Sequence, residues 1–516
     1  MATSRLPGFH RLTPTRRRKL LVTEGILTPQ LLEDLASGGL PRAVLDAVTE
    51  NVVGHIRLPV GLVTNLVVNG VERLVPVATE EPSIVAGCSK AALLARTCGG
   101  VEAAGGRTWA AGQVLARLPA SSPDHGQGPG DGGQGPGDGG PRTRESQAQA
   151  RAKSPGDGGQ GPGDGGPRTR ESQARARAQA RAKSPGDGGQ GPGDGGQGPG
   201  DGGPRTRESQ ARARAREGAG DGSFESAWRA GGNGLRAALE GMLPEVARRF
   251  AEMHPRVAAA GGGVESIREQ VAVDRPAGVR VLRVDLVPGE AMGANLANDA
   301  AEVLASLLRQ QGIDVLGAIV TNFPVAGATT ATVRIPVDSL PADSFSDRSD
   351  LADRVALLSE WAGWDPLRRA THNKGILNGI IGVWAALYQD TRALAASLLA
   401  SGRPLATWSR RGDLLVGEFG GTLPCGLRGG TSVHAATTGA FLEMMRVGRS
   451  EELAQVGAAV GLLQNLAALL AIATEGIAAG HMRLHRRKSE GVMLGGRQPR
   501  SKGRSTSRRV PRGGGK

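Results

Sequence analysis

Apolar positions recur at helical spacing over 235–253, with Leu239, Leu243, Val246 and Phe250 on one face, which predicts an amphipathic helix. Ahead of it, GQVLARLP (Gly112–Pro119) reads as a short strand. Behind it, VRVLRVDLV (Val279–Val287) alternates apolar and polar positions as a half-buried strand, a second helix closes over Leu304–Leu308, and ATVRIPV (Ala331–Val337) is another strand. Strand, helix, strand, helix, strand in one region predicts a small α+β domain. The first hundred residues and the stretch from Ser349 to Glu475 are richer in helix, with Ala/Leu runs at Ala393–Leu399 and Val456–Ile472. The expected fold is therefore α+β, a large, mainly helical domain in two pieces (1–107 and 322–475) bracketing a small domain (108–321).

Between 120 and 223 the pattern disappears. That segment is almost free of Val, Ile, Leu and aromatic residues and repeats one unit, PRTRES at Pro141, Pro167 and Pro204, each time after GPGDGG. A solenoid repeat needs apolar positions to stack, and this one has none, so a long disordered repeat insert is expected. Its 15 basic and 13 acidic residues nearly balance, which argues against a grip on nucleic acid. Much of the content of 81 glycines and 31 prolines lies here, so length overstates the core.

Charge changes the picture mainly by its location. Of the net +14, the last 35 residues (Met482–Lys516) carry twelve Lys or Arg against Glu490 alone, which is +11. The body is nearly neutral, and a nucleic-acid partner is left only as a non-specific contact of the basic tail. Cys88, Cys98 and Cys425 show neither paired nor CxxC spacing, which fits a reducing cytoplasm better than a disulfide framework or zinc site. The longest apolar run, Val456–Ile472, is interrupted by Gln464 and Asn465, so no membrane span is expected.

Four stretches set an ionisable group among apolar or glycine neighbours: ENVVG at Glu50, EEPSIVAG at Glu80, THNKGILNG at Thr371 and ATEGIAAGHMRLH at Ala473. A fifth, EAMGAN at Glu290, is a glycine-containing turn between a strand and a helix, where backbone amides can approach phosphate. By themselves, a lysine beside glycine and a glutamate pair before proline read as a helix cap or a solvated face. His481 and His485 share a helical spacing, but no third ligand stands near them, so no metal is expected.

Taken in order, SRLPGF, ENVVG, LVPVATEEPSIVA, AMGAN, RATHNKGILNGI and LLQNLAALLAIATEGIAAGHM resemble the class II 3-hydroxy-3-methylglutaryl-CoA reductases over nearly all the chain outside the insert and tail. The resemblance implies interconversion of 3-hydroxy-3-methylglutaryl-CoA with mevalonate and CoA by two hydride transfers from NADH or NADPH. It also implies a homodimer or higher homo-oligomer, a cytoplasmic location, a substrate-binding large domain and a nicotinamide-binding small one. It assigns Glu81, Lys374, Asp390 and His481 as catalytic. Lys374 would hold the oxyanion, His481 would protonate the CoA thiolate, Glu81 would protonate the aldehyde oxygen, and Asp390 would link lysine and glutamate. Ser83, Arg368, Asn378 and Asn322 would contact the hydroxymethylglutaryl group, and Glu50 and Asn51 the CoA substrate. Glu290, Met292, Gly293, Asn295 and His254 would serve the cofactor.

Three departures stand out. His254 occupies the position where NADH-preferring members carry an acid for the adenosine ribose, and with Arg256 nearby this leans toward NADPH. The usual Asp of the DAMGAN motif is Glu290. After His485 the chain is Gly-, Pro-, Ser- and Arg-rich, so a shortened C-terminal flap and basic tail are expected over 476–516. A competing reading is a catalytically impaired homologue that acts as a scaffold through that tail.

Overall fold

The computed structural model describes residues 4–29, 51, 56–106, 109–118, 223–271, 275–324, 326–341, 347–428, 435–474 and 476–477. The repeat insert, Glu50, His481 and the basic tail lie outside the described residues.

The chain enters through helix α1 (Pro14–Thr23), capped by the Thr13 hydroxyl, and then forms a hairpin of β1 (Val60–Val68) and β2 (Val71–Ala78). Its turn is Asn69–Gly70, both at positive φ (51° and 75°), the backbone that a two-residue hairpin demands. A helix-rich first hundred residues was the expectation; this hairpin is an addition to it, signalled by the Asn-Gly pair. Helix α2 (Pro82–Arg96) follows directly and packs on β1.

Strands β3 (Glu102–Gly105) and β4 (Ala110–Arg117) then part company, because β3 joins one four-stranded sheet and β4 another. Beyond the insert come α3 (Ser223–Ala230), α4 (Gly232–Met253), the short α5 (Pro255–Ala259), β5 (Gly263–Gln270), β6 (Val279–Val287), α6 (Ala294–Gln310) and β7 (Asp314–Thr321). Strands β5-β6-β4-β7 form an antiparallel sheet. Leu235, Leu239, Val246 and Phe250 of α4 share one core with Leu282, Val284 and Leu286 of β6 and with Leu304 and Leu308 of α6. Gly112 of β4 lets α6 lie close: a methyl there would meet the Ala297 carbonyl oxygen at 2.4 Å.

One expectation needs correcting. The strand ATVRIPV is β8 (Thr329–Pro336), and it pairs with β3 and with β10 (Leu414–Gly421), outside the small sheet. Ala331, Val333 and Ile335 face the other core. The strand that closes the small sheet is β7, whose alternation is blurred because it is an edge strand exposing Leu316 and Ile319.

The second core gathers the hairpin, α2, the sheet β3-β8-β10-β9, with β9 at Ala406–Arg411, and the helices α7 (Arg348–Trp364), α8 (Pro366–Ala386), α9 (Thr391–Leu399), α10 (Ala435–Met445) and α11 (Ser450–Ala473). By length and apolarity α11 would cross a membrane, with a mean hydropathy of 1.9, yet 72% of that window is buried against protein. It is a core helix. Gly457 and Gly461 bring it against α8, since a methyl at either would lie 2.6 Å from the Trp384 ring or 2.7 Å from Ile380. The interrupting Asn465 is satisfied by accepting from the Trp408 indole N–H at 2.9 Å.

Candidate active site

Helix α8 carries the THNK stretch, and its residues divide by face. His372 and Asn373 turn inward. The imidazole Nε2 of His372 lies 2.9 Å from the Ala406 carbonyl oxygen, while the Asn373 side chain donates to the Arg403 carbonyl at 2.9 Å and accepts from the Leu405 amide at 3.0 Å. Burial pushes the His372 imidazole down to about 4, so it is neutral and structural. These two residues fix the rotation of α8, and Lys374 is consequently exposed, with Asn378 one turn further along the same stripe. Among the described residues no ion pair holds the Lys374 ammonium.

Glu81 occupies the N-cap position of α2 but makes no side-chain cap bond; its Oε1 accepts from the Ser83 hydroxyl at 3.0 Å, and its amide donates to Thr79 Oγ1 at 3.1 Å. Pro82, at the first helical position, has no amide N–H to leave unsatisfied there. Gln464 of α11 packs against both Gly87 of α2 and Gly379 of α8, so the start of α2 and the Asn378 region of α8 converge on one point.

Asp390 is placed differently. It caps α9, accepting from the amides of Arg392 (2.9 Å) and Ala393 (3.0 Å), and the Arg392 guanidinium approaches it at 3.2 Å. Burial alone would raise its pKa; the donated bonds and the guanidinium outweigh that and hold the carboxyl below its ordinary range. Its turn is tied to α8 where the Gln389 amide donates to the Trp384 carbonyl. Ten residues of helix separate Trp384 from Lys374, about 15 Å along the axis. Within one chain the structure therefore brings Ser83 to Glu81 but leaves Asp390 far along α8 from Lys374.

Of the other expected contacts, Arg368 is half-buried with its guanidinium carbon 5.7 Å from the Trp361 ring centroid, and burial lowers its pKa. Asn51 is exposed and held at φ 54°. Asn322 and Met292 line one cleft together with Ala294, Thr321, Thr422 and Ser397, a set drawn from both cores. Ser397 and Thr422 were not foreseen, since nothing in their sequence surroundings marks them.

The EAMGAN turn does join a strand to a helix. Gly293, at φ 98°, is the N-cap of α6, and a methyl there would strike Ala110 and Pro288 at 2.7 and 2.8 Å. The first turn of α6, which includes exposed Asn295, has no acidic residue, so its partial positive charge is open to an anion. Glu290 points elsewhere: its Oε2 accepts from the Ser450 amide at 2.7 Å, at the start of α11, and its carbonyl oxygen accepts from Leu427 and Arg428. His254 meets a partner that sequence reasoning missed, Asp299 of α6, with Nε2 2.9 Å from Oδ2. No group of three or more His, Cys, Asp or Glu able to hold a metal occurs among the described residues.

Comparison with known proteins bears on this arrangement. The sequence profile of the hydroxymethylglutaryl-coenzyme A reductase family matches residues 13–122 and 238–486. The 3-hydroxy-3-methylglutaryl-coenzyme A reductase of Archaeoglobus fulgidus is 28% identical over 495 residues, spanning 94% of this chain and 86% of its own. A probable reductase of Borreliella burgdorferi is 36% identical over 219 residues, 40% of this chain and 50% of its own. The class II reductase of Streptococcus pneumoniae, solved bound to NADPH in open conformations, superposes with a TM-score of 0.64 at 23% identity, covering 91% of this chain and 99% of its own. A second structure of the pneumococcal enzyme gives 0.63 over 90% and 98%. The two sequence blocks that match lie on either side of the repeat insert and contain every candidate residue above, and on that ground the chain belongs to the hydroxymethylglutaryl-coenzyme A reductase family, oxidoreductases that act on a CH–OH group with NAD or NADP.

Proposed function

We propose that this reductase converts 3-hydroxy-3-methylglutaryl-CoA to mevalonate and CoA in a site completed between two copies of the chain. The observation that carries the second half is the roughly 15 Å of helix between Lys374 and the Asp390 turn, which one copy cannot close. Exposed apolar residues on α7 and α8 support it. Leu357, Trp364 and Leu367 are 63%, 66% and 82% exposed and follow one another along α7 into the start of α8, an apolar patch of the kind a partner covers.

The reaction consumes two hydrides and two protons: the thioester carbonyl becomes a hemithioacetal, the carbon–sulfur bond breaks, and the resulting aldehyde becomes the alcohol. Bound, the nicotinamide supplies the hydrides. Gly293, Met292 and Asn295 would hold it at the α6 N-terminus, where the glycine leaves room and the amides favour phosphate. Lys374, exposed and unpaired by any described carboxylate, stabilises the oxyanion as the carbonyl is reduced. Glu81, kept from capping α2, donates the proton to the aldehyde oxygen. His481 protonates the departing thiolate before it can attack again. Asp390 of the second copy, held as an anion by the α9 amides, orients the Lys374 ammonium.

The adenosine end would follow α6. Asp299 lies five residues beyond Ala294, about 7.5 Å along the axis, within a ribose's span of the pyrophosphate. It opens onto a groove between α4 and α6 that also holds Glu252 and Glu302. The pneumococcal relative binds NADPH; here the choice between the two cofactors rests on how the carboxylates of this groove offset His254 and Arg256. We place the protein in the cytoplasm, where its three cysteines would stay reduced as thiols.

The test is absorbance at 340 nm with the acyl-CoA thioester and each nicotinamide. Turnover is expected with at least one, and Lys374→Ala should lower kcat by at least about 1000-fold with the fold intact. No turnover by the unsubstituted protein with either cofactor, in either direction, would reject the reading.

A further inference from the structure

We infer that Gln389 is a positioning residue that fastens the cofactor loop to the turn bearing Asp390, acting through the backbone of Gly426. The inference rests on the functional reading above for what the loop and Asp390 do; the linkage itself rests on geometry.

The Gln389 side chain spends both of its polar ends on one residue. Its Nε2 donates to the Gly426 carbonyl at 2.8 Å, and its Oε1 accepts from the Gly426 amide at 3.0 Å. Its own main chain is anchored separately, by the Gln389 amide donating to the Trp384 carbonyl at 2.8 Å. A carboxylate could only accept at this place, and a shorter amide would not reach.

Gly426 in turn touches the cofactor loop with its backbone. A methyl there would lie 2.4 Å from the Met292 nitrogen, 2.7 Å from the Ala291 carbonyl carbon and 2.9 Å from the Glu290 oxygen. The next two amides, of Leu427 and Arg428, donate to that Glu290 oxygen at 2.8 and 3.1 Å. The Glu290 carboxylate then accepts from Ser450 at the start of α11. A continuous path of short contacts thus runs from Asp390 through Gln389 and Gly426 to Glu290 and Met292. The segment is also pinned from behind, where the Trp384 indole donates to the Pro424 carbonyl at 2.9 Å. Its effect is to set the height of the loop, and hence of the α6 N-terminus, relative to the acid that serves the reacting carbon.

The test is direct binding of NADH and NADPH to the full chain by titration calorimetry, alongside steady-state kinetics. Gln389→Ala should weaken cofactor binding by about tenfold, the loss of two hydrogen bonds, with the KM for the thioester within about twofold. Gln389→Glu, which keeps the acceptor for the Gly426 amide, should fall between. Gly426→Ala, pressing on the same loop from the other side, should weaken cofactor binding as well, and combining it with Gln389→Ala should add less than about twofold, because both act through one contact. A Gln389→Ala protein that binds cofactor like the parent, or effects of the two changes that multiply, would overturn the inference while leaving the functional reading standing. Failure of the parent to bind either nicotinamide would overturn both.

Discussion

At the scale of single residues, the histidines show what a motif hides. THNK reads as one catalytic stretch, yet His372 and Asn373 face the core while Thr371 and Lys374 face out. Four consecutive letters do not reveal which face of a helix each will occupy until its neighbours are known. His372 has a measurable consequence. Its pKa of about 4 in the folded chain lies below the ordinary 6.5, so unfolding takes up a proton between those values. Stability from this residue is complete above about pH 6.5 and is lost as pH falls toward 4, by up to roughly 3 kcal/mol. Melting temperatures measured from pH 7.5 to 5 should fall less steeply in His372→Gln than in the parent; equal slopes would mean that His372 is not held neutral. His254 is the second case. Its identity was legible and its significance was not, because Asp299 lies 45 residues away and meets it only through the packing of α4 on α6. With Asp299 removed as Asn, a 2′-phosphate would meet one negative charge fewer, so the ratio of kcat/KM for NADPH to that for NADH should rise by several-fold to about tenfold. A ratio that stays put or falls would place the adenosine end elsewhere.

At the scale of elements, strands and helices with strong periodicity were readable: β4, β6, α4 and the end of α6 fall where their apolar spacing puts them. Partnership between strands was not. ATVRIPV alternates as a strand in any sheet, and only its Val333 and Ile335 packing beneath α11 assigns it to the sheet of the larger core. Gln464 and Asn465, which interrupt the apolar run of α11, do not reveal in sequence where that helix lies; in the fold Asn465 finds the Trp408 indole. The glycines of α11 could be read only after the fold was known. Gly457→Ala should push a methyl to within 2.6 Å of the buried Trp384 ring, a rigid obstacle. We expect a loss of about 1–3 kcal/mol, visible as a lower urea midpoint with unchanged slope. An unchanged midpoint would show that α8 and α11 are less closely packed.

For the molecule as a whole, two positions matched to the family's catalytic set, Lys374 and Asp390, are kept apart within one chain by about 15 Å of helix. The start of α2 and the Asn378 region of α8 converge on Gln464 of α11, whereas Asp390 sits past the far end of α8 as the cap of α9. A sequence carries no mark of this, because sixteen residues of separation look local until they are wound into a straight helix. Leu357, Trp364 and Leu367, exposed along α7 and the start of α8, are apolar surface that a second copy would cover. The most direct measurement is complementation: Lys374→Ala and Asp390→Ala chains, each inactive alone, are co-expressed with different tags, the mixed dimer is isolated, and thioester-dependent oxidation of the nicotinamide is followed at 340 nm. Two-fold symmetry leaves each mixed dimer one intact site in two, so about half of the parental turnover per dimer is predicted. A mixed dimer as inactive as either single variant would contradict the account, since it would mean that lysine and aspartate must come from the same chain.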